Sequence, residues 1–273
     1  MMLARRNPRR LLRGFWHLPR FLMASWRALF IFEDPVSVIW SYVRRCRPAG
    51  AIVRLRSGIT IHLSDDPADI VTVFLIFARR DYGEVTAGAT VIDVGANIGV
   101  FSLFAASSGA KAVHAFEPSA ASHAILLKNI KTNSLRSVIH ANHRAVVGRP
   151  RASVKFPRRS NVLNEILPES ADAAACDVVP ATTLSEITAS LDSIDLLKSD
   201  CEGAEYDIFL NTPSADIRRI AEIRMECHEG PLQELLTRLS ESGFEVHRYM
   251  AAAAGGYVQF WRGDPPPVAG SMQ

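Results

Sequence analysis

Apolar residues follow two different periods along this chain, and the change between them divides it. Residues 21–32 carry them at helical spacing, so residues 1–50 read as a leader built mainly of helix, frayed over its first ten or so residues. Residues 51–55 and 59–63 then alternate apolar and polar around Ser57-Gly58, which predicts a β-hairpin. Asp65-Asp66-Pro67-Ala68-Asp69 opens a helix with an acidic first turn, reaching about Arg80. Residues 89–141 read as strand, helix, strand, helix, strand. From 145 to 182 no helical period is visible, and turns near Gly148 and Pro157 mark this stretch as an antiparallel insertion or a loop over a site. The alternation resumes with a strand at 193–200, a helix from about Ala204 to Asn211, a strand at 221–228 and a helix at 231–242 stopped by Gly243. Two strands close the series, at 244–249 and 257–261. The expected fold class is therefore α/β: a mostly parallel, Rossmann-like sheet closed by an antiparallel C-terminal hairpin, with an N-terminal helical and hairpin extension. The expected division is leader 1–50, main domain 51–262 with its 145–182 insertion, and a Pro/Gly-rich tail, 263–273, expected to be disordered.

The junction at residues 91–106 carries the first chemistry. Val91-Ile92-Asp93-Val94 is a buried strand, Gly95-Ala96-Asn97-Ile98-Gly99 a tight loop, and Val100 onward a helix. Such a loop presents backbone N–H groups with little side-chain bulk. A dinucleotide fingerprint would put a second glycine where Asn97 stands. Asp93 would repel phosphate but suits a cationic ligand. After Gly95, the next strand ends at Glu117-Pro118, and a carboxylate there accepts hydrogen bonds from ribose hydroxyls. Loop and carboxylate together imply an adenosyl ligand without a pyrophosphate.

Composition adds bounds. With 273 residues, 48% hydrophobic and 22% charged, the chain can bury a sizeable α/β core. Its net charge of +3 is unevenly placed: seven arginines, from Arg5 to Arg27, precede the first acid, Glu33. The basic excess therefore belongs to the leader, and no nucleic-acid face is expected on the domain. The segment 21–32 is too short to span a membrane and contains Arg27; Pro19 and Arg20 spoil it as a signal peptide. Two readings of the leader stay open: a helix pair covering the domain, or peripheral contact of residues 1–32 with an anionic membrane surface. Cys46, Cys176, Cys201 and Cys227 form no framework, so free thiols in a reducing cytoplasm are expected. Lysine supplies only five of the 31 basic residues, which suggests a GC-rich, bacterial genome.

Several blocks resemble FkbM-type methyltransferases: residues 93–99, Phe116-Glu117-Pro118, Thr183-Leu184, the block Ile194 to Glu205 containing Lys198-Ser199-Asp200-Cys201-Glu202-Gly203-Ala204-Glu205, and Glu226-Cys227-His228. The likeness covers roughly residues 51–249, and the Lys-x-Asp-x-Glu-Gly-x-Glu block is its most specific part. Ser199 and Cys201 stand where that family usually has aliphatic residues. The resemblance implies a class I methyltransferase fold and O-methylation, with S-adenosyl-L-methionine as donor and a sugar, glycolipid or secondary metabolite as acceptor. It implies that Asp93, Gly95, Ala96, Asn97 and Gly99 shape the methionine side of the site. Glu117 would take the ribose hydroxyls, Pro118 would border the adenine, and the stretch from Asn142 to Ala145 would lie near the adenine edge. Asp200 would face the reaction centre.

A hydroxyl acceptor calls for a base, and Asp200, Glu202 and His228 are the catalytic candidates, with Glu226 and His143 behind them. His228 titrates nearest neutrality if unperturbed and ends a strand. Asp200 and Glu202 would share a face if the strand persisted that far. Two carboxylates are too few to specify a metal, and none is expected. The alternative function is a non-catalytic adenosyl-binding or membrane-peripheral protein; intact Gly95, Gly99, Glu117 and Asp200 argue against it.

Overall fold

The computed structural model describes residues 8–158, 166–168, 170, 172, 175–252 and 255–261. The tail 263–273, residues 1–7 and most of the arginine-bearing turn near Arg159 lie outside the described residues. The chain separates into two compact units, Met1–Glu84 and Val85–Gln273, with the hairpin in the first. Among the described residues, no helix is long and apolar enough to cross a membrane.

The first unit begins with α1 (Pro8–Ile31), which runs through Pro19 without ending. The helix α2 (Pro35–Arg44) starts where Asp34 accepts the Ser37 N–H at 2.9 Å and Pro35 supplies a preset first turn. The strands β1 (Ile52–Arg54) and β2 (Thr60–His62) pair as the expected antiparallel hairpin. The next helix is divided. The segment α3 (Ala68–Val73) continues as a wider π-helical turn, Phe74–Arg79, stopped by Arg80 at φ +58°. Ala24, Ala28, Phe32, Val53, Ile61, Ile70 and Phe74 form the core, and Tyr42 stacks on Phe74 with ring centroids 4.1 Å apart.

The second unit is built on seven strands. They are β3 (Thr90–Val94), β4 (Ala112–Phe116), β5 (Ile139–Asn142), β9 (Ile194–Ser199), β10 (Ile220–Cys227), β11 (Glu245–Ala252) and β12 (Gly255–Trp261), in the order β5-β4-β3-β9-β10-β12-β11. All pairings from β5 to β10 are parallel; β12 runs antiparallel to both neighbours. The helices α4 (Val100–Ser107) and α5 (Ala120–Thr132) connect the first three strands. This is the class I methyltransferase arrangement. Ile92, Val94, Leu197, Ile223, Met225, Val258 and Phe260 form a continuous apolar face. It packs on α7 (Ala204–Asn211) and α9 (Leu232–Glu241) through Tyr206, Ile208, Phe209, Leu235 and Leu239.

The insertion, expected as an antiparallel element or a loop over the site, is a small mixed sheet. The strands β6 (Ala145–Val147), β7 (Ser153–Pro157) and β8 (Cys176–Thr183) make a second sheet in the order β6-β8-β7, in which β7 is antiparallel to β8 but β6 is parallel to it. Val147, Val154, Phe156 and Val179 form its own small core. Two short helices were not expected. One, α6 (Leu184–Ala189), is set by a capping box in which Thr183 accepts the Glu186 N–H and Glu186 accepts the Thr183 N–H. The other is the single turn α8 (Ser214–Ile217).

Candidate active site

The chain leaves β3 toward β4 and β5 on one side, then returns to β9 on the other. A crevice forms outside the strand ends at such a reversal. Two loops meet there, residues 95–99 after β3 and 200–203 after β9. The Asp200 N–H donates to the Val94 carbonyl at 3.1 Å, so the loops start side by side. Gly95 sits at φ +73°, and a Cβ there would lie 1.9 Å from the Asp200 carbonyl oxygen. Both space and conformation therefore require glycine.

The open array of N–H donors expected of this loop is not what the structure contains. Gly95 and Ala96 both donate to the Phe116 carbonyl, at 3.1 and 3.0 Å, and Gly99 donates to Ala96 at 2.8 Å. Asn97, at φ +49°, donates its N–H to Glu117 Oε2 at 2.7 Å. The loop is tied down onto the end of β4, which suits a ligand without phosphates.

Asp93, Lys198 and Glu117 form a buried charged group beneath it. Lys198 Nζ donates to the Gly95 carbonyl at 2.8 Å and lies 3.1 Å from Asp93 Oδ1 and 3.9 Å from Asp200 Oδ2. Burial opposes the Lys198 charge, but Asp93 and Asp200 more than offset it and raise the pKa. Asp93 Oδ2 also accepts the Ser102 hydroxyl at 2.6 Å. Glu117 accepts one N–H on each oxygen, from Asn97 and from Ser119, both at 2.7 Å. Burial pushes its pKa up to about 7, against the pull of those two amides and Lys198. A carboxylate has about four acceptor positions, so each Glu117 oxygen keeps one for a ligand hydroxyl. The Pro118 carbonyl lies 3.0 Å from His143 Nε2, whose ring stacks on His123. Asn142 stays half-buried at the end of β5, and its carbonyl accepts the Glu117 N–H at 3.1 Å. Ala145 goes elsewhere: its side chain is buried in the core of the second sheet.

The loop after β9 brings the catalytic candidates together by a route the sequence did not suggest. The strand ends at Ser199, and Glu202 turns at φ +53°, so Asp200 and Glu202 do not share a strand face. Glu202 instead reaches His228 Nε2 at 3.1 Å. The wholly buried Glu205 accepts His228 N–H at 2.7 Å, lies 3.0 Å from its Nδ1, and also accepts the Gly203 N–H at 2.9 Å. Hydrogen bonds to Glu202 and Glu205 raise the His228 pKa to about 11. The near-neutral histidine expected at this position is thus an imidazolium with both nitrogens donating, and it has no lone pair for a proton. Glu226, on β10, keeps an open face. Desolvation, then the charges of Asp200 and Glu202, push its pKa up to about 7. Asp200, Glu202 and His228 each offer a ligand atom within 4.8 Å of the others, a set that could hold a divalent cation if the cation displaced the His228 proton.

Lys198 and Glu205 are the residues the sequence reading undervalued. The first was visible in its motif as a neighbour of Asp200. The second gave no signal of its bond to His228, because no local spacing links α7 to the end of β10.

Residues 93–257 match the family model described as the methyltransferase FkbM domain. The chain is 28% identical over 234 residues to the 31-O-demethyl-FK506 methyltransferase FkbM of Streptomyces tacrolimicus, covering 71% of this chain and 88% of that protein. Among solved structures it is similar to the ribosomal protein L11 methylase of Lactobacillus delbrueckii subsp. bulgaricus (18% identity, 67% of this chain and 73% of that one, TM-score 0.42). It is also similar to precorrin-6y C5,15-methyltransferase of Geobacter metallireducens GS-15 (14% identity, 65% and 82%, TM-score 0.40). M. jannaschii TYW2, solved in complex with AdoMet, matches at 16% identity over 68% and 75%, with a TM-score of 0.36.

Proposed function

Because the chain belongs to the methyltransferase FkbM domain family, we propose that it moves the methyl group of S-adenosylmethionine to a hydroxyl oxygen of a sugar, glycolipid or secondary metabolite. One observation carries the reading: the Gly95 loop, the Glu117 carboxylate and Asp200 converge at the switch point of the sheet, with Asp200 packed against Gly95. The donor supplies a methyl already activated by a positively charged sulfur. The residues present fit such a ligand. Glu117 retains acceptor positions for a pair of ribose hydroxyls, the loop lacks a phosphate cradle, and the carboxylates of this region favour a cationic ligand.

The protein's contribution is alignment and proton removal. Lys198 holds the Gly95 carbonyl and Asp200 in one frame, which fixes the base relative to the donor loop. Glu226, whose pKa desolvation and the nearby Asp200 charge push up to about 7, takes the acceptor proton together with Asp200. His228 positions the loop: with Glu202 and Glu205 it ties residues 202–205 to the end of β10. The acceptor is a small molecule or carbohydrate.

The test is methyl transfer from labelled S-adenosylmethionine to a panel of hydroxylated acceptors. Asp200→Asn should lower turnover by about 10²–10⁴-fold with donor affinity kept, and the wild-type rate should rise as pH increases through about 7. Full turnover in both Asp200→Asn and Glu226→Gln would remove the pair from catalysis, and donor bound without transfer to any acceptor would favour the adenosyl-binding alternative.

A further inference from the structure

We propose that the outer faces of α1 and α2 dock on an anionic lipid bilayer, an inference independent of the reaction above. The helix α1 carries large apolar residues on both sides. Its inward side packs through Ala24, Ala28 and Phe21, whose ring meets Tyr42 and Phe74, while Leu22, Met23, Trp26, Leu29 and Phe30 stand in solvent, Trp26 at 63% and Phe30 at 64% exposure. Leu22, Trp26, Leu29 and Phe30 follow the i, i+4, i+7, i+8 spacing of one helical stripe. In the sequence that spacing runs back through Leu11, Phe15 and Leu18. On α2, Val36, Trp40 and Val43 make a second stripe, exposed at 73%, 61% and 57%. Exposed apolar surface of this extent marks an interaction site.

The charges around these stripes select the occupant. Arg20 and Arg27 are exposed on α1 and, by helical geometry, fall along one border of its stripe. The Arg44 guanidinium lies over the Trp40 ring, 5.4 Å from its centroid, and Arg45 follows, also exposed. No acid precedes Glu33 in the chain. The adjacent Asp34 is engaged in capping α2. Tryptophan and phenylalanine beside arginine heads on long apolar stems match the boundary between acyl chains and anionic headgroups. The helices would lie in that plane, since none among the described residues can span a membrane.

The test is co-sedimentation of the full chain with vesicles of phosphatidylcholine alone and of phosphatidylcholine with phosphatidylglycerol. The expected result is partition to the anionic vesicles at least ten-fold above the neutral ones, weakening as salt rises. The triple variant Trp26→Glu, Phe30→Glu, Trp40→Glu should lose it, and so should Arg20→Gln, Arg27→Gln, Arg44→Gln, with thermal unfolding like wild type in at least one of the two. Equal partition to both vesicle types, no partition by the wild type, or full binding by a folded variant each overturns the proposal. So does a wild-type dimer in solution that the triple glutamate variant dissociates, since the stripes would then meet a second copy.

Discussion

Two neighbouring rows of residues cross the same four strands and have opposite character. Ile92, Leu197, Ile223 and Phe260 are register partners on one face of the sheet, all apolar and all buried. One residue further along, Asp93, Lys198, Arg224 and Gln259 are register partners on the other face, all polar and equally buried. Strand alternation makes the two rows possible; it does not require the second. The apolar row is what any such sheet needs to pack on α7 and α9. The polar row is costly to bury and survives because each member is held. Lys198 pairs with Asp93, Arg224 pairs with Glu222 on both its oxygens, and Gln259 Nε2 donates to Glu222 Oε1 at 2.6 Å. The polar row runs directly into the loops of the site, while the apolar row supports it. Chemistry therefore gathers on one face of the sheet, while both faces contribute buried apolar residues, such as Val91 and Leu196 on that side and Ile92 and Leu197 on the other.

The comparison breaks most sharply at Lys198. Replacing it by methionine leaves Asp93 buried without its ammonium and should cost about 3–5 kcal/mol in denaturant unfolding. Leu197→Ala, its neighbour in the apolar row, should cost about 2–5 kcal/mol. What separates the rows is rescue. The double change Asp93→Asn, Lys198→Met should recover much of the lost stability while donor binding stays impaired. A single Lys198→Met variant with wild-type stability would show that the row is not held as described.

The next effect is at the loop. Gly95→Ala brings a Cβ into the Asp200 carbonyl at positive φ and should destabilise by about 1–3 kcal/mol and weaken donor binding. Gly203→Ala is the control: φ is also positive, but nothing lies within 4 Å of its would-be Cβ. It should cost about 1 kcal/mol, the conformational part alone. Equal effects at both positions would mean that Asp200 does not crowd the loop.

The effect that depends on pH is at His228. Its folded pKa is raised to about 11, so its contribution to stability is complete below its unfolded value of 6.5 and is lost as pH rises through 11. His228→Asn should therefore lower Tm near neutral pH, and the gap to wild type should close toward pH 11. A gap that widens with pH would contradict the imidazolium reading.

The central strands were legible because each is a short apolar run next to a glycine or acidic stop: Val91 to Asp93 before Gly95, Ile194 to Leu197 before Asp200. The antiparallel ending could be read from the small-residue joint between the last two strands. The second sheet could not be read. Its β6 and β8 pair in parallel across a long segment, and nothing local to Ala145–Val147 names a partner so distant. The capping box at Thr183 was present in the sequence, but the helix it starts is only six residues long and leaves little periodicity. In the site, Asp93, Gly95 and Glu117 announced themselves because one βαβ unit brings them together. The state of His228 did not. It depends on Glu202 and Glu205, which reach it only once α7 and β10 are packed.

The most direct test of the donor site is calorimetric titration of S-adenosylmethionine into the wild type and Glu117→Gln, at pH values about one unit either side of the Glu117 pKa of about 7. Ribose hydroxyls donate to the ionised carboxylate, so wild-type affinity should fall as pH drops through 7. The Gln variant should bind more weakly by about 1.5–3 kcal/mol at the higher pH and lose the pH dependence. Wild-type affinity that ignores pH, or a Gln variant that binds as tightly as wild type, would contradict the assignment of Glu117 and of the crevice it lines.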